Sequence, residues 1–365
     1  MLRAEYEESK LPIFNPRSSQ QVCKVLLKLG VNLTKKTKTG FSTDESVLFD
    51  LKGRGIPFVD LLVEYRELFK QYSTYICPFL DISNQDLDRG MTPEIFPRFN
   101  QTAVSDERLS SSEPNIQNIT KHSEIGKQLR KSFIAKPGHS FIANDYSQLH
   151  LRILAHYSKD EKLTRAYKQG LDLHQVTADL LKVPRSPVAK TINFGIVYSM
   201  SPKALAQKLH EEGHDISVEE ATSIIGDFYR SYPGVKSWRD HIIAYAQHYG
   251  YAPSLNGFRV PLPYINEKGE GGRFTKRAWH EQRKAVNSPI LTTEAQIVKI
   301  AMIQIERKYG ITPILQVHDD LMFEVPSSEV PLWKTRFKEE MESSNPLCVP
   351  LRVDQHVGTN WGEME

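Results

Sequence analysis

Two places in this chain, far apart in sequence, set an acid at the end of a short apolar run. Phe141–Asp145 (FIAND) reads as a strand that closes on a carboxylate. Ile314–Val317 (ILQV) and Leu321–Val325 (LMFEV) flank His318-Asp319-Asp320, the pattern of two strands joined by a tight turn. The stretch between them reads differently. From Gln148 to Tyr157 the apolar period becomes helical, and residues from about 160 to 250 are mainly helix. Only a fold that leaves a sheet, builds helices and returns can unite the two acids.

The first third is also mostly helical. Val22–Leu29 carries an apolar stripe and stops at Gly30, a C-cap signal, and Val59–Tyr75 reads as a longer amphipathic helix ending near Pro78. Between these lies Lys35-Lys36-Thr37-Lys38-Thr39-Gly40, which suits contact with a phosphate backbone, although by itself the segment reads more readily as a solvated loop. Residues 91 to 120, rich in Pro, Ser, Asn and Gln, read as an irregular connection.

At 365 residues the chain exceeds one ordinary core and fits two or three subdomains. A net charge of +3 argues neither for nor against nucleic acid, because a binding groove needs local positive charge rather than a basic total. Cys23, Cys77 and Cys348 are scattered without metal-ligand spacing and read as free thiols of a reducing, cytoplasmic compartment. The charged N-terminus is no signal peptide, and no run of 18 apolar residues exists for a membrane span.

Phosphoryl transfer to a 3′-hydroxyl uses two divalent cations about 3.5–4 Å apart, and hard Mg²⁺ takes carboxylate oxygens. Asp145 and Asp319, with Asp320 beside the second, are candidate ligands; each alone also reads as a turn residue. Lys190, Phe194 and Tyr198, spaced i, i+4, i+8, share one face of a helix. A cation followed by two aromatics matches the phosphates, sugar and base of a nucleoside triphosphate. The same spacing also describes a helix packing two aromatics into a core beneath a snorkelling lysine.

Three segments resemble motifs of DNA polymerase I-like (family A) enzymes: DYSQLHLRILAHYS from Asp145, KTINFGIVYSMS from Lys190 and QVHDDLMFEV from Gln316. RFNQTA at Arg98 and RLSSSEPNIQNI at Arg108 resemble the family's entry to the palm. DLHQVTA at Asp172 resembles its phosphate-contacting segment, and KKTKTGFST at Lys35 with VEYRELFKQYSTY at Val63 resemble its thumb. The resemblance covers nearly the whole chain in the family's order.

It implies an α+β right-hand polymerase fold with an antiparallel palm sheet, helical thumb and helical fingers. The expected division is thumb 1–88, palm 89–158, fingers 159–275 and palm again 276–365. By the resemblance, Asp145, Asp319 and the carbonyl of Tyr146 hold two Mg²⁺ ions, for which Mn²⁺ can substitute. Lys190 pairs with the triphosphate and can protonate the leaving pyrophosphate. His174 touches the phosphates, and Arg185 reaches them by its own route. Phe194 packs on the incoming sugar and base, Tyr198 stacks near the templating base, and Gln148 and His150 border the nucleotide. Lys35, Lys36, Lys38, Arg98, Arg108, Asn115, Gln117, Asn118, Arg283, Asn287, His318 and Asp320 line the DNA. The implied partners are a primer–template duplex and dNTPs, with no membrane and a monomeric protein.

Four departures bear on function. His150 stands where the family usually has the glutamate that blocks the ribose 2′-hydroxyl; it keeps the bulk and is expected to lose the carboxylate's hydrogen bond to Tyr198. Ser186-Pro187 replaces a phosphate-binding arginine and reads as N-cap then N1, which sets Arg185 outside the helix. Glu94 and Leu291 stand where the family feels the minor groove, so weak mismatch discrimination is expected. Ser199 replaces the glycine after the finger tyrosine. No exonuclease segment is read in the chain, so proofreading is not expected of these residues. The rival functions are a polymerase with relaxed sugar or template choice, and a non-catalytic primer–template binder.

Overall fold

The computed structural model describes residues 14–37, 40–121, 123–344 and 346–364. It separates into a first unit reaching to Arg98 and including Glu113–Ile116, and a second formed by Phe99–Ser112 and the chain from Gln117 onward.

The first unit is helical. Ser19–Lys28 starts on Ser18, whose hydroxyl accepts from the Gln21 amide, and its end is followed by Gly30 at φ +77°. Val22, Leu26, Leu48, Val59 and Leu62 close a small apolar core. The helix expected to stop near Pro78 does not stop there. Pro57–Gln71 passes through a wide π-turn at Tyr72–Ile76 into Cys77–Asp88. Pro78 falls in the first turn of that last segment, where a missing amide costs little. The lysine-rich segment forms a two-stranded ribbon, Lys36–Thr37 against Gly40–Phe41.

The second unit is built on a four-stranded antiparallel sheet. Its strands are β1 (His139–Tyr146), β2 (Leu315–Val317), β3 (Asp320–Pro326) and β4 (Val353–Gly358), in the order β4-β1-β3-β2. The expected strand and hairpin thus share one sheet as direct neighbours. Ile142 lies opposite Phe323 and Ala143 opposite Met322, all buried. Phe323 stacks on Phe337 of a covering helix, with ring centroids 4.0 Å apart. Burying each such ring contributes about 1.5–3 kcal/mol.

Five helices of this unit position the functional residues: α1 (Leu149–Ser158), α2 (Leu173–Leu181), α3 (Lys190–Val197), α4 (Lys276–Tyr309) and α5 (Val330–Ser343). The α1 helix begins just past β1, after Gln148 turns the chain through φ +54°. Leu149, Leu151, Ile153 and Leu154 of α1 are buried, which fixes it against the sheet and α4.

Candidate active site

Strand register brings the acids together. Asp145 pairs across β1–β3 with Asp320 and across β1–β4 with Asp354. Asp319 occupies the β2–β3 turn, and its carbonyl accepts from the Tyr146 amide at 3.3 Å. His318, the other turn residue, holds φ +56°, so the turn uses a left-handed residue as tight hairpins do. The Tyr146 ring is buried and donates its hydroxyl to the Met341 carbonyl at 2.9 Å, anchoring the strand end.

The carboxylates repel one another. Burial, then the charges of Asp145 and Glu294, raise the pKa of Asp319 well above the carboxylate range. Burial is also the largest cause raising Asp145, with Asp354 adding to it and Lys121 opposing it. Asp145 is nevertheless exposed to solvent. Asp320, half-buried, accepts from the Asn144 amide at 3.1 Å and is pushed up to about 7, chiefly by burial.

This donor set fits divalent cations. Neither Asp145 nor Asp319 has an ion-pair partner among the described residues. No three His, Cys, Asp or Glu among those residues form a closed cage. Two carboxylates outside any ion pair leave coordination positions for phosphate oxygens and water, as Mg²⁺ sites that bind nucleotides do.

The α3 helix presents one open face. Thr191, Ile192, Asn193, Gly195, Ile196 and Val197 are buried, whereas Lys190 is exposed and Phe194 is half-buried. Tyr198, half-buried, caps the helix. Phe194 therefore does not fill a core, while Tyr198 packs against the core's edge. Ser186 is extended (φ −129°, ψ 135°), so helical backbone starts at Pro187 as expected. Arg185 lies outside it and pairs with Asp172, Nε and Nη2 both 2.6 Å from Oδ2. The Asp172 oxygens also accept from the His174 amide and from Gln148, and the Tyr167 hydroxyl donates to Gln148. These bonds tie α2 and Arg185 to the turn that follows Asp145.

His174, buried on the first turn of α2, has its ring 5.8 Å from that of Phe194. Burial lowers its pKa, which favours the neutral ring. The Thr177 hydroxyl donates to Asn193 Oδ1 at 3.0 Å, which leaves the Asn193 amide to donate to His174 Nδ1, also at 3.0 Å. The proton of neutral His174 is thereby assigned to Nε2.

His150 departs from expectation. Its Nδ1 bonds the Tyr198 hydroxyl at 2.9 Å, so the link to the finger tyrosine is kept. A carboxylate is present too, supplied by Glu294 of α4, whose Oε2 lies 2.6 Å from His150 Nε2. Asn287, two turns earlier on α4, reaches the end of α3, where its amide can donate to the Val197 carbonyl at 3.1 Å. Glu294 and Asp354 went unnoticed in the sequence; a lone acid inside a long helix or a late strand carries no signal of its own.

The other expected residues are placed as follows. Arg108 is held by Asp106 at 2.8 Å, and Gln117 donates to both oxygens of Gln316. Asn118, Arg283 and His318 are exposed on the second unit. Lys35, Lys36, Arg98 and Asn115 belong to the first unit. Lys35 there pairs with Asp44 at 2.6 Å, and Arg98 lies 3.8 Å from Glu113. Lys38 lies outside the described residues.

Known proteins are similar to this chain over nearly its whole length. The family model for DNA polymerase family A matches residues 2–363. The thermostable DNA polymerase I of Thermus aquaticus is 37% identical over 361 residues, covering 95% of this chain and 42% of that protein. DNA polymerase I of Geobacillus stearothermophilus is 38% identical over 363 residues, covering 95% and 40%. The chain thus spans about two fifths of the length of these relatives. Among solved structures, the POL domain of Pol1 from M. smegmatis, in complex with DNA primer-template and dNTP, superposes with a TM-score of 0.83 at 32% identity. That match covers 96% of this chain and 62% of the other. The fold is therefore α+β, of the right-hand polymerase class, with an antiparallel palm sheet and helical thumb and fingers. The chain belongs to DNA polymerase family A.

Proposed function

We propose that this chain extends a DNA primer on a DNA template with dNTPs. The reading is carried by Asp145 and Asp319, set at one end of the sheet without an ion-pair partner among the described residues, and by α3, tied there through Tyr198 and His150 and open along Lys190, Phe194 and Tyr198.

In the reaction the primer 3′-hydroxyl gives up its proton to solvent water, its oxygen bonds to the α-phosphorus, the bond from that phosphorus to the bridging oxygen breaks and pyrophosphate leaves. Two Mg²⁺ ions, or Mn²⁺, held by Asp145, Asp319 and the Tyr146 carbonyl would acidify the 3′-hydroxyl and stabilise the leaving oxygen. Lys190 neutralises the triphosphate and supplies a proton to the pyrophosphate. His174 donates through Nε2 to a phosphate oxygen, and Phe194 and Tyr198 present π-surface to the sugar and bases. His318 and Asp320 lie at the primer end, and positioning and charge stabilisation supply the rate. Arg185 reaches the phosphates only on leaving Asp172.

We assign DNA contact to Lys35, Lys36, Arg98, Arg108, Asn115, Gln117, Asn118, Arg283 and Asn287. The thumb, palm, fingers and palm divide at 88, 158 and 275. The protein acts as a monomer in the cytoplasm, where Cys23, Cys77 and Cys348 stay free; no described helix is long and apolar enough to cross a membrane.

Primer extension on DNA with Mg²⁺, offering dNTPs and rNTPs separately, tests the reading against Asp319→Ala. Extension with dNTPs that vanishes in the variant supports it. Duplex binding without extension refutes it in favour of a binding protein, and equal use of rNTPs establishes relaxed sugar choice.

A further inference from the structure

Glu294 is the feature that the proposed reaction leaves unexplained. Its side chain is 1% exposed. A buried carboxylate costs several kcal/mol unless it is paired, and its one hydrogen bond among the described residues goes to His150 Nε2, at 2.6 Å. The neighbours Thr292, Thr293 and Ala295 are small and buried, so an apolar residue would seat this turn of α4 without that cost. Its charge also acts on Asp319 and Arg108, but the group it holds by a hydrogen bond is the imidazole.

The effect on the imidazole is geometric. His150 sits on the first turn of α1, directly after the segment that carries Asp145. One ring nitrogen is held by Glu294, the other by the Tyr198 hydroxyl, and the two rings meet edge to face at 83°. With Nε2 donating to the carboxylate, Nδ1 is left to accept from Tyr198. Two bonds on opposite sides of the ring fix both of its torsions. Asn287 on the same face of α4 holds the main chain at the end of α3. Glu294 and Asn287 together fix the tyrosine end of the nucleotide-binding face to α4.

We propose that Glu294 is a positioning residue for sugar selection: it locks the His150 ring against Tyr198 as the barrier facing the 2′-position of the incoming nucleotide. The inference rests on the polymerase reading given above. It makes the chain a selective enzyme through a three-residue relay in which the carboxylate stands on a different helix from the barrier.

The test is the ratio of kcat/KM for a dNTP to kcat/KM for the matching rNTP, which a merely structural role would not move. It is measured for the unaltered chain, Glu294→Ala, Glu294→Gln, His150→Ala and the double variant His150→Glu/Glu294→Ala. Losing a charge-assisted hydrogen bond should lower the ratio about ten- to a hundredfold in Glu294→Ala, towards the His150→Ala value. Glu294→Gln, which keeps an acceptor of the same shape, should lose only about fivefold. The double variant, which returns a carboxylate to bond Tyr198 directly, should recover the unaltered ratio to within about threefold. An unchanged ratio in Glu294→Ala, with both sugars used less, overturns the inference and leaves the polymerase reading standing; so does an unaltered chain that uses both sugars equally. If Glu294→Ala fails to fold, the glutamine and double variants decide. No extension by the unaltered chain overturns both.

Discussion

Replacing Ser199 with glycine should stabilise the protein, although the exchange removes a side chain from a half-buried position. Helix α3 ends in a paired closure, with the Met200 amide donating to the Gly195 carbonyl at 2.8 Å and the Ser199 amide to Ile196 at 3.0 Å. That closure requires a left-handed residue after the cap, and Ser199 supplies it at φ +51°. Holding a non-glycine residue there costs about 1 kcal/mol. The Ser199 hydroxyl is also buried without a hydrogen-bond partner among the described residues, which costs about 1–2 kcal/mol more. Against these stands the extra freedom glycine gives the unfolded chain, about 0.5–1 kcal/mol. The balance is a gain of about 1–2.5 kcal/mol, or about 2–10 °C in the melting of the second unit. Calorimetry and urea denaturation of Ser199→Gly against the unaltered chain measure it. A Tm that falls or stays within 1 °C (roughly the resolution implied by that conversion) would refute the reasoning, and with it the claim that this helix end is strained. Because the strained residue adjoins Tyr198, Ser199→Gly should also incorporate a nucleotide faster in a single turnover.

Removing the Asn193 amide should free His174 to carry its proton on either nitrogen. Asn193→Ala is expected to raise KM for dNTPs about tenfold, the loss of one hydrogen bond to a charged group, with kcat changed far less; steady-state kinetics read the split. Leu291 is half-buried on α4 and offers no hydrogen-bonding group. Leu291→Gln is expected to improve discrimination against mismatched primer ends about fivefold, worth one new hydrogen bond, as read by extension from matched and mismatched termini.

Much of the site was legible because its parts have local signatures. FIAND and the HDD hairpin announce themselves by apolar runs that end in acids, and the sheet register carried both to one place. The 3.6-residue period singled out Lys190, Phe194 and Tyr198, though only burial of the intervening residues decided between a binding face and a core. What stayed hidden depends on partners distant in sequence. Nothing around Glu294 distinguishes it from other helical acids until His150, 144 residues away, is seen against it. Reading His150 alone led to the expectation of a lost tyrosine bond, which the relay corrects. Pro78 misled because a proline signals a helix end only where it would break a bond already made, and the π-turn before it had reset the ladder.

The pairing of β1 with β3 also determines where the chain is fragile. Side chains alternate along a strand, so a slip of β3 by one residue would move Asp320 away from Asp145 and turn Phe323 to the opposite face of the sheet, away from Phe337. The two requirements cannot be relaxed separately: the alignment that hides the apolar side chains also aligns the acids. Catalytic tolerance is therefore inherited from the hydrophobic interior. Substitutions at Phe323, Phe337 or Ile142, none of which touches a nucleotide in the proposed mechanism, would be felt first as loss of catalysis and only later as loss of fold.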